Sequence, residues 1–345
     1  MNILFILSIT SFFIIKLISA QSDINEECKP INKILLKDQT NNCCKNEGVI
    51  CTNGHITIIY FHLPLYTLSF PPELGNLTYL ENLYITGEGF NDSIPPELGN
   101  LSNLVNLKIQ GKNIYGSIPS ELGNLSNLEH LIISQCNLTG SIPSSIGNLS
   151  KLKELVIQDN NNISGAIPSE LGNLINLEKL DLSRNTLINT IPLELGNLSN
   201  LKNLDIKESH LNGPIPSELG NLSKLERLDL SRNNLTGSIP PELGNLLKLK
   251  TLTLANNNLS GSIPKEIKKL NIKLNTSNNP LLETENNNNL LLIIFIIVIC
   301  VVIIILIILI SYLKTKKKII EEENAKRCKN KISFGSENHP DIYIS

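Results

Sequence analysis

The most regular feature of the chain is an apolar pattern that returns about every 24 residues. Leucines and isoleucines hold fixed places in each copy, and a proline opens each copy. The interval is 24 residues throughout, except for 25 between two of these prolines, in the series Pro71, Pro95, Pro119, Pro143, Pro168, Pro192, Pro216, Pro240 and Pro264. A unit of this length cannot bury its apolar side chains alone, so the copies are predicted to stack into a solenoid.

One unit, residues 225–240, shows which elements the pattern predicts. Leu228 and Leu230 alternate with polar residues, which is the period of a strand with one buried face. Asn233 follows on the inner side, where stacked amides would satisfy backbone groups in a ladder. Gly237 permits a tight bend, and Pro240 is expected to stop further strand pairing. Residues 241–246 are then predicted to form a short helical turn or loop that returns the chain to the next parallel strand.

The ladder position is not uniform along the chain. It holds Asn in four units and conservative replacements in two, in the series Asn160, Asn185, Asn233, Asn257, Cys136 and Ser209. Glu88 and Lys112 occupy it in two N-terminal units, and a lone buried charge is costly. These two side chains are expected to turn outward, or to pair with each other.

The two ends of the chain carry long apolar runs. Residues 1–20 end in Ile18-Ser19-Ala20, a pattern typical of a signal peptide cleaved before Gln21, with an uncleaved anchor as the alternative. The unbroken apolar run from Leu290 to Ile310 would span roughly 30 Å as a helix, so residues 290–313 are predicted to cross a membrane. Lysines follow the run and acidic residues precede it, which places the repeats outside the cell and the tail inside.

Charge and cysteine content agree with this division. The segment between signal peptide and span carries 21 basic and 27 acidic residues, so a basic nucleic-acid footprint is absent. An even cluster of cysteines in a secreted segment favours disulfides, at Cys28, Cys43, Cys44 and Cys51. Zinc binding is the alternative, but adjacent Cys43 and Cys44 lack the usual spacing of zinc ligands.

The full pattern, L-x-x-L-x-L-x-x-N-x-L-x-G-x-I-P-x-x-L-G-N-L, resembles the plant-type leucine-rich repeat. The resemblance covers residues 52 to about 281, as nine full repeats and a degenerate tenth. It implies an α/β solenoid with a curved parallel β-sheet on the concave face and short helical turns and loops on the convex side. The run from Cys43 to Cys51 resembles that family's N-terminal cap, which implies disulfides Cys28–Cys43 and Cys44–Cys51.

These observations divide the chain into six predicted segments. They are a signal peptide (1–20), a disulfide-bonded cap (21–55), the solenoid (56–281), an acidic Asn-rich stalk (282–289), a transmembrane helix (290–313) and a short basic cytoplasmic tail (314–345). The 32 tail residues are too few for a kinase domain. The resemblance therefore implies a receptor-like protein rather than a receptor kinase.

Binding in a solenoid is expected on the concave strand face. The first five units place Tyr, Ile, Val and Lys at outward positions, whereas later units repeat Asp181, Asp205 and Asp229. Exposed aromatic and apolar side chains are typical of an interface core. The predicted ligand-binding residues are Tyr60, His62, Asn82, Tyr84, Lys108, Gln110 and Ile132. The alternative is that these positions have drifted without a function.

Sequons for N-glycosylation are frequent, partly because G-N-L-S belongs to the repeat. The candidates are Asn76, Asn91, Asn100, Asn124, Asn137, Asn148, Asn162, Asn197, Asn221, Asn234, Asn258 and Asn275. Glycans on them are expected mainly on the rims and the convex side, leaving the concave strands open.

Catalytic, metal-binding and cofactor-binding motifs are not found, since the five histidines are scattered and glycine-rich phosphate loops are missing. The chain is predicted to be a non-enzymatic, single-pass type I protein of the plasma membrane that binds an extracellular protein, peptide or glycan. It would signal, if at all, through a co-receptor with its own cytoplasmic domain. The alternatives are cell adhesion or wall attachment, and membrane-tethered inhibition of extracellular hydrolases.

Overall fold

The computed structural model describes residues 24–62, 68–160, 162–283 and 285–333, with side chains in the last helix described over 292–327. The predicted signal peptide lies outside these residues. The chain divides into two units, Met1–Leu282 and Glu283–Ser345, and each is described by itself.

Within the described residues, the largest sheet has eleven strands. The first two pair antiparallel as a hairpin, and all later pairs are parallel. The strands are Val49–Thr52, His55–His62, Asn82–Thr86, Asn106–Gln110, His130–Ser134, Glu154–Gln158, Lys179–Asp181, Asn203–Asp205, Arg227–Asp229, Thr251–Thr253 and Lys273–Asn275. The predicted parallel sheet of a leucine-rich-repeat solenoid is confirmed.

Short 3-10 helices form the opposite side of each coil. They are Pro72–Asn76, Pro96–Asn100, Ser120–Asn124, Ser144–Asn148, Ser169–Asn173, Leu193–Asn197, Ser217–Asn221 and Pro241–Asn245. A proline precedes each helix in an extended conformation, as at Pro95 with φ −72° and ψ 135°. Gly99 shows why the repeat needs glycine here, because a Cβ would collide with the carbonyl oxygen of Glu121 in the next coil. The helices of neighbouring coils therefore stack backbone against backbone.

The segment after the ladder asparagine pairs a second time, which the sequence reading missed. Within the described residues these lateral strands form two four-stranded sheets. One contains Tyr115–Ser117, Asn137–Gly140, Asn162–Gly165 and Thr186–Leu187, and the other contains Asn212–Gly213, Asn234–Ser238, Asn258–Ser262 and Leu281–Glu283. Pairing includes the bend glycine, since Gly140 at φ 78° pairs with Ile163 of the next coil, three residues before the proline at 143.

The core is a continuous stack of leucine and isoleucine side chains. Leu83, Leu107 and Leu131 occupy the same register on neighbouring strands and are at most 1% exposed. Each such burial stabilises the fold by about 1.5–3 kcal/mol relative to an exposed side chain. The spine is shared by all coils, so no single unit has a core of its own.

The asparagine ladder forms as predicted over the C-terminal coils. Asn233 donates from Nδ2 to the carbonyls of Ile206 (2.9 Å) and Leu230 (3.2 Å), and its Oδ1 accepts from the backbone N–H of Leu211 (3.2 Å). Asn279 extends the ladder by one coil that the sequence reading did not include.

The ladder is interrupted in the N-terminal coils, where two charged residues hold its place. Lys112 is exposed and Glu88 is half-buried, and no ion pair joins them within the described residues. Of the two outcomes expected from the sequence, outward rotation is the one that occurs at Lys112, and mutual pairing does not occur.

The N-terminal cap consists of a helix over residues 24–34 and the short 3-10 helix Cys43–Lys45. Disulfides join Cys28 to Cys43 and Cys44 to Cys51, the pairing that the family resemblance implied. The sulfurs of Cys28, Cys43 and Cys44 lie within 4.8 Å of one another, but the two disulfides occupy them and leave no thiolate for zinc.

The last coil ends differently from the others. The α-helix Lys265–Lys268 replaces the 3-10 helix, and the strand Leu281–Glu283 completes the second lateral sheet. Leu282, beside the predicted boundary of the solenoid at residue 281, is 2% exposed and lies in the core.

The C-terminal unit contains one long α-helix, Glu285–Ser333. Its segment Leu292–Arg327 is the one helix among the described residues that is long and apolar enough to cross a membrane. The helix begins at Glu285, within residues 282–289 that were predicted as a stalk, and an acidic residue at the start of a helix is favourable against the helix dipole. It also continues past residue 313, because lysine, glutamate and alanine favour helix.

Candidate ligand-binding surface on the concave face

The predicted binding residues lie on four neighbouring strands of the large sheet. Tyr60, Tyr84, Lys108 and Ile132 stand opposite one another in register, one on each strand. Neighbouring strands are about 4.8 Å apart, so the four side chains form a continuous row. Together with His62, Asn82 and Gln110 on the same strands, they are called the aromatic patch below.

Two tyrosines dominate this patch. The rings of Tyr60 and Tyr84 stack with centroids 4.7 Å apart and planes inclined by 4°. Tyr60 is nevertheless 48% exposed, so one face of the pair is open to solvent. Burial, and then the neighbouring Tyr60, raises the pKa of Tyr84 above its ordinary value of 10.0. The Tyr84 phenol therefore remains a neutral hydrogen-bonding group on an apolar ring.

Three polar members of the patch each form a bond with a side chain of the next coil. His62 Nδ1 lies 3.0 Å from Thr86 Oγ1, and Gln110 Nε2 donates to Gln135 Oε1 at 2.9 Å. Asn82 Oδ1 accepts from Asn106. Lys108 lies beside the tyrosine pair and forms no salt bridge within the described residues. Its ammonium group is therefore available to a ligand.

The row changes character at Val156, the next residue in register after Ile132. Val156 is 4% exposed, so the prediction that it contributes an exposed apolar side chain is wrong. In register, Val156 lies between Ile132 on one neighbouring strand and Asp181 on the other, so the row passes there from apolar to acidic residues. The aromatic patch therefore ends at Ile132.

A charged cluster beside this boundary was missed by the sequence reading. Glu154 accepts from Lys179 Nζ at 3.0 Å and lies 3.2 Å from His130 Nδ1. Burial alone would raise the pKa of Glu154, but the bonds from Lys179 and His130 outweigh it and hold the pKa below its ordinary value. The sequence signal was the run of His130, Glu154 and Lys179 at one repeat position.

The C-terminal half of the row consists of Asp181, Asp205 and Asp229, called the aspartate column below. Asp181 accepts from Ser183 Oγ at 2.6 Å. Asp229 accepts from Ser231 Oγ at 2.6 Å and from Arg227 at 2.9 Å.

The middle member of the column, Asp205, pairs with Lys207 at 3.0 Å. Burial raises the pKa of Asp205 above its ordinary value of 3.8 despite this bond. The carboxylates of the aspartate column are thus satisfied by their own chain.

The predicted glycan acceptors are all exposed asparagines. Asn275 is an exception to the expected distribution over rims and convex side, because it ends the last strand of the concave sheet beside Thr253. A glycan there would cover the C-terminal end of the concave face. No acceptor lies within the aromatic patch.

Cys136 is a buried free thiol among the described residues, 7% exposed, and it occupies the ladder position. Burial raises the pKa of this thiol to about 11, so the group stays protonated at neutral pH. Its backbone N–H donates to Asn160 Oδ1 at 3.1 Å, which places Cys136 in the ladder rather than in a reactive site.

Comparison with known proteins gives matches of two kinds. The families described as "Leucine-rich repeat region" and "Leucine Rich Repeat" match residues 111–238 and 248–270. A search of curated proteins returned no match.

Solved structures with the same fold include ectodomains of plant receptors. One is the ectodomain of the Arabidopsis thaliana membrane receptor kinase GASSHO1/SCHENGEN3 in complex with Casparian strip integrity factor 2 (38% identity, 68% of this chain, 28% of that chain, TM-score 0.63). Another is the plant peptide hormone receptor RGFR1 with RGF2 (36%, 67%, 40%, 0.60). A third is the Arabidopsis receptor kinase HAESA with the peptide hormone IDA and the co-receptor SERK1 (30%, 74%, 46%, 0.54).

The stacked coils, the ladder and the lateral sheet define a leucine-rich-repeat solenoid of the plant type. The chain therefore belongs to the plant-type leucine-rich-repeat proteins, and its repeats are similar to the ectodomains of plant receptors. It spans less than half the length of these three receptors.

Proposed function

We propose that this chain is a membrane-anchored receptor-like protein that binds an extracellular peptide on the aromatic patch. The observation that carries the proposal is the stacked, half-exposed pair of Tyr60 and Tyr84, followed in register by Lys108 and Ile132. These side chains are accessible, and nothing within the described part of the chain neutralises Lys108.

The chemistry of the patch fits an extended peptide better than a compact small molecule. Three strand spacings make the row about 14 Å long, which matches roughly four residues of extended chain. The tyrosine pair offers an apolar platform for a ring or aliphatic side chain, and Lys108 offers a cation for a carboxylate. The row of amides and hydroxyls beside it, at Gln110 and Thr86, supplies hydrogen bonds to the peptide backbone.

The proposal includes a single-pass type I arrangement in the plasma membrane, with the solenoid outside. Its support is the apolar helix segment Leu292–Arg327 and the cluster of lysines that follows the apolar run. Signalling would pass through a partner with its own cytoplasmic domain. The peptide ligands of three similar receptors, and the co-receptor of one, support this arrangement by analogy.

The test uses the full chain displayed on cells and a library of fluorescent synthetic decapeptides, from which binders are selected. Tyr60→Ala with Tyr84→Ala is expected to weaken the selected peptides at least about tenfold, since buried aromatic anchors dominate such interfaces. Asp205→Asn with Asp229→Asn is the matched control pair from the aspartate column. It is expected to change peptide binding less than about twofold. A larger loss from the aspartate pair would refute the assignment of the patch.

The receptor role has a separate test. Truncation after Lys318 retains the membrane-flanking lysines and removes the remaining tail. A receptor that signals through its tail or through a partner bound there is expected to lose its response while the cell still binds peptide. An unchanged cellular response with unchanged attachment would instead favour an adhesion protein.

A further inference from the structure

A second surface lies away from the concave face, at the corner between the lateral strands and the 3-10 helices. A groove of about 950 Å³ runs along this corner over several coils. It is lined, among others, by Thr190, Leu193, Glu194, Pro214, Glu218 and Pro241, and is called the corner groove below.

The corner groove is more apolar than the same corner in other coils. The residue before the Ile-Pro pair is serine in most coils (Ser93, Ser117, Ser141, Ser238 and Ser262). Here it is Ala166, Thr190 and Pro214 in three successive coils. Leu193 likewise stands where most coils have proline or serine, and it is 54% exposed. Leu193 lies among prolines and isoleucines that also line the groove, and a contiguous apolar surface of this kind, unlike a single exposed leucine, indicates a place that another molecule covers.

The backbone is also altered here. Asn189 replaces the glycine of the other coils and keeps a left-handed φ of 67°. Pro214 has no N–H to donate, and the lateral sheet divides between Thr186–Leu187 and Asn212–Gly213. Two backbone hydrogen bonds still join these coils, from His210 to Leu187 and from Asn212 to Asn189. The corner is therefore remodelled without loss of stacking.

The lateral strands of the same two coils lack the sequons of their neighbours, although the 3-10 helices of these coils keep Asn197 and Asn221. Lateral strands on either side begin with glycan acceptors, at Asn137, Asn162, Asn234 and Asn258. The equivalent positions in the two intervening coils are Thr186 and His210, and Ile188, which replaces the sequon's serine or threonine, is 45% exposed. Glycans on the lateral strands would therefore border the corner groove, and none of the acceptor asparagines is among the residues that line it.

The rim of the groove is acidic. Glu194, Glu218 and Glu242 follow one another on successive coils, and none of them forms a salt bridge within the described residues. Like charges would oppose a second copy of this chain placed groove to groove, whereas lysine or arginine would be attracted.

We propose that the corner groove is a second docking site, which takes a basic protein segment with an apolar side chain over Leu193 and cationic side chains over Glu194 and Glu218. It goes beyond the peptide site proposed on the concave face. Only the glycan part of the argument rests on the extracellular placement proposed above.

The first test uses the full chain in nanodiscs and a fluorescent peptide of alternating lysine and leucine, with the glutamate–leucine peptide as the reverse-charge control. Glu194→Lys with Glu218→Lys is expected to weaken the lysine peptide at least about tenfold. Glu97→Lys with Glu121→Lys changes the same helix position outside the groove and is expected to weaken it less than about twofold. Equal losses from both pairs, or equal binding of both peptides, would overturn the proposal.

The second test restores the missing glycan. Thr186→Asn with Ile188→Ser recreates Asn-Leu-Ser beside the groove, and a mass shift on enzymatic deglycosylation reports occupancy. Leu247→Ser is the control, since it creates a sequon at Asn245 in a column that already has Asn197 and Asn221. The first variant is expected to lose the lysine peptide and the second to retain it.

Retained binding in the glycosylated first variant would contradict the docking site. Absence of glycan from every sequon would refute the extracellular placement, while the charge reversals would still decide the groove. If the parent chain formed a dimer, and the glycan introduced by Thr186→Asn with Ile188→Ser separated it, the groove would be assigned to a second copy of this chain. That result would overturn the proposed occupant.

Discussion

The aromatic patch and the aspartate column share one sheet, one register and one leucine spine, yet their outward side chains differ in what they contact. Tyr60 and Tyr84 stack on each other and leave one face open, and Lys108 has no ion-pair partner in the described residues. Asp181 and Asp229 accept bonds from serine hydroxyls two residues further along the chain. The column is therefore part of the fold's internal bonding, whereas the tyrosine pair and Lys108 remain accessible.

This difference shows how a solenoid separates support from recognition. The inward positions of the concave strands are apolar in every coil, because each must continue the same core. The outward positions are released from that requirement, so one half of the sheet can hold structural polar groups and the other can hold binding groups. Four predictions test this contrast, in order of decreasing effect.

The largest expected effect is the loss of stability when a core leucine is removed, and this loss should be equal in the two halves of the solenoid. Leu83→Ala beneath the aromatic patch and Leu204→Ala beneath the aspartate column each remove a fully buried side chain. Each is expected to lower the free energy of unfolding by about 2–5 kcal/mol, measured by urea denaturation of the full chain in detergent. Leu247→Ala, at a position 82% exposed, is the control and should change it by less than about 0.5 kcal/mol. A loss confined to one half would show that the spine is not shared.

The ladder position should separate the halves. Asn233→Ala would leave the buried N–H of Leu211 without its acceptor, and is expected to cost about 1–3 kcal/mol of unfolding free energy. Lys112→Ala at the equivalent N-terminal position removes an exposed side chain and should cost less than about 0.5 kcal/mol. Thermal unfolding of both variants measures the difference, and equal costs would contradict the interrupted ladder.

The outward row should show a smaller contrast in stability. Asp229→Ala removes the acceptor for Ser231 and Arg227 at a site 5% exposed, so it is expected to cost about 1–2 kcal/mol. Tyr60→Ala, at a site 48% exposed, is expected to cost less than about 1 kcal/mol. If the tyrosine change were the more destabilising of the two in thermal unfolding, the patch would be structural rather than free for binding.

The smallest effect concerns rim ion pairs that occur in both halves. Hydrogen bonds from Lys153 and Lys250 hold the pKa values of Glu129 and Glu226 below their ordinary value of 4.5. A lowered carboxyl pKa stabilises the fold above the unfolded pKa, and this contribution is lost as the pH falls through the folded pKa.

The pH dependence of thermal unfolding between about pH 6 and about pH 3 measures that contribution. Glu129→Gln and Glu226→Gln are each expected to reduce the fall in Tm on acidification by a similar small amount. A steeper fall in either variant would reverse the assigned sign, and a large difference between them would show that the rims are not equivalent.

Much of the fold could be predicted from the sequence because each coil repeats the same local rules. The leucine alternation of Leu228 and Leu230 predicts the buried strand, and Asn233 predicts the ladder. The lateral sheet was missed because Pro240 was taken to end pairing, whereas the strand Asn234–Ser238 pairs before the proline is reached.

The candidate surface was predicted less completely than the fold. The register of Tyr60 with Tyr84 follows from the repeat, but the burial of Val156 does not, because it depends on how side chains of neighbouring coils pack once they have stacked. The corner groove was not predicted at all, since its residues belong to four successive coils that come together only after stacking.

The sequence by itself determined the period, the parallel pairing, the apolar spine and the apolar run near the C-terminus, because these depend on residue type at fixed spacing. Tertiary structure alone decided which outward side chains are satisfied by the chain and which remain available. Hydrogen bonding and burial depend on distances between residues about 24 positions apart, and those distances exist only once the coils have stacked.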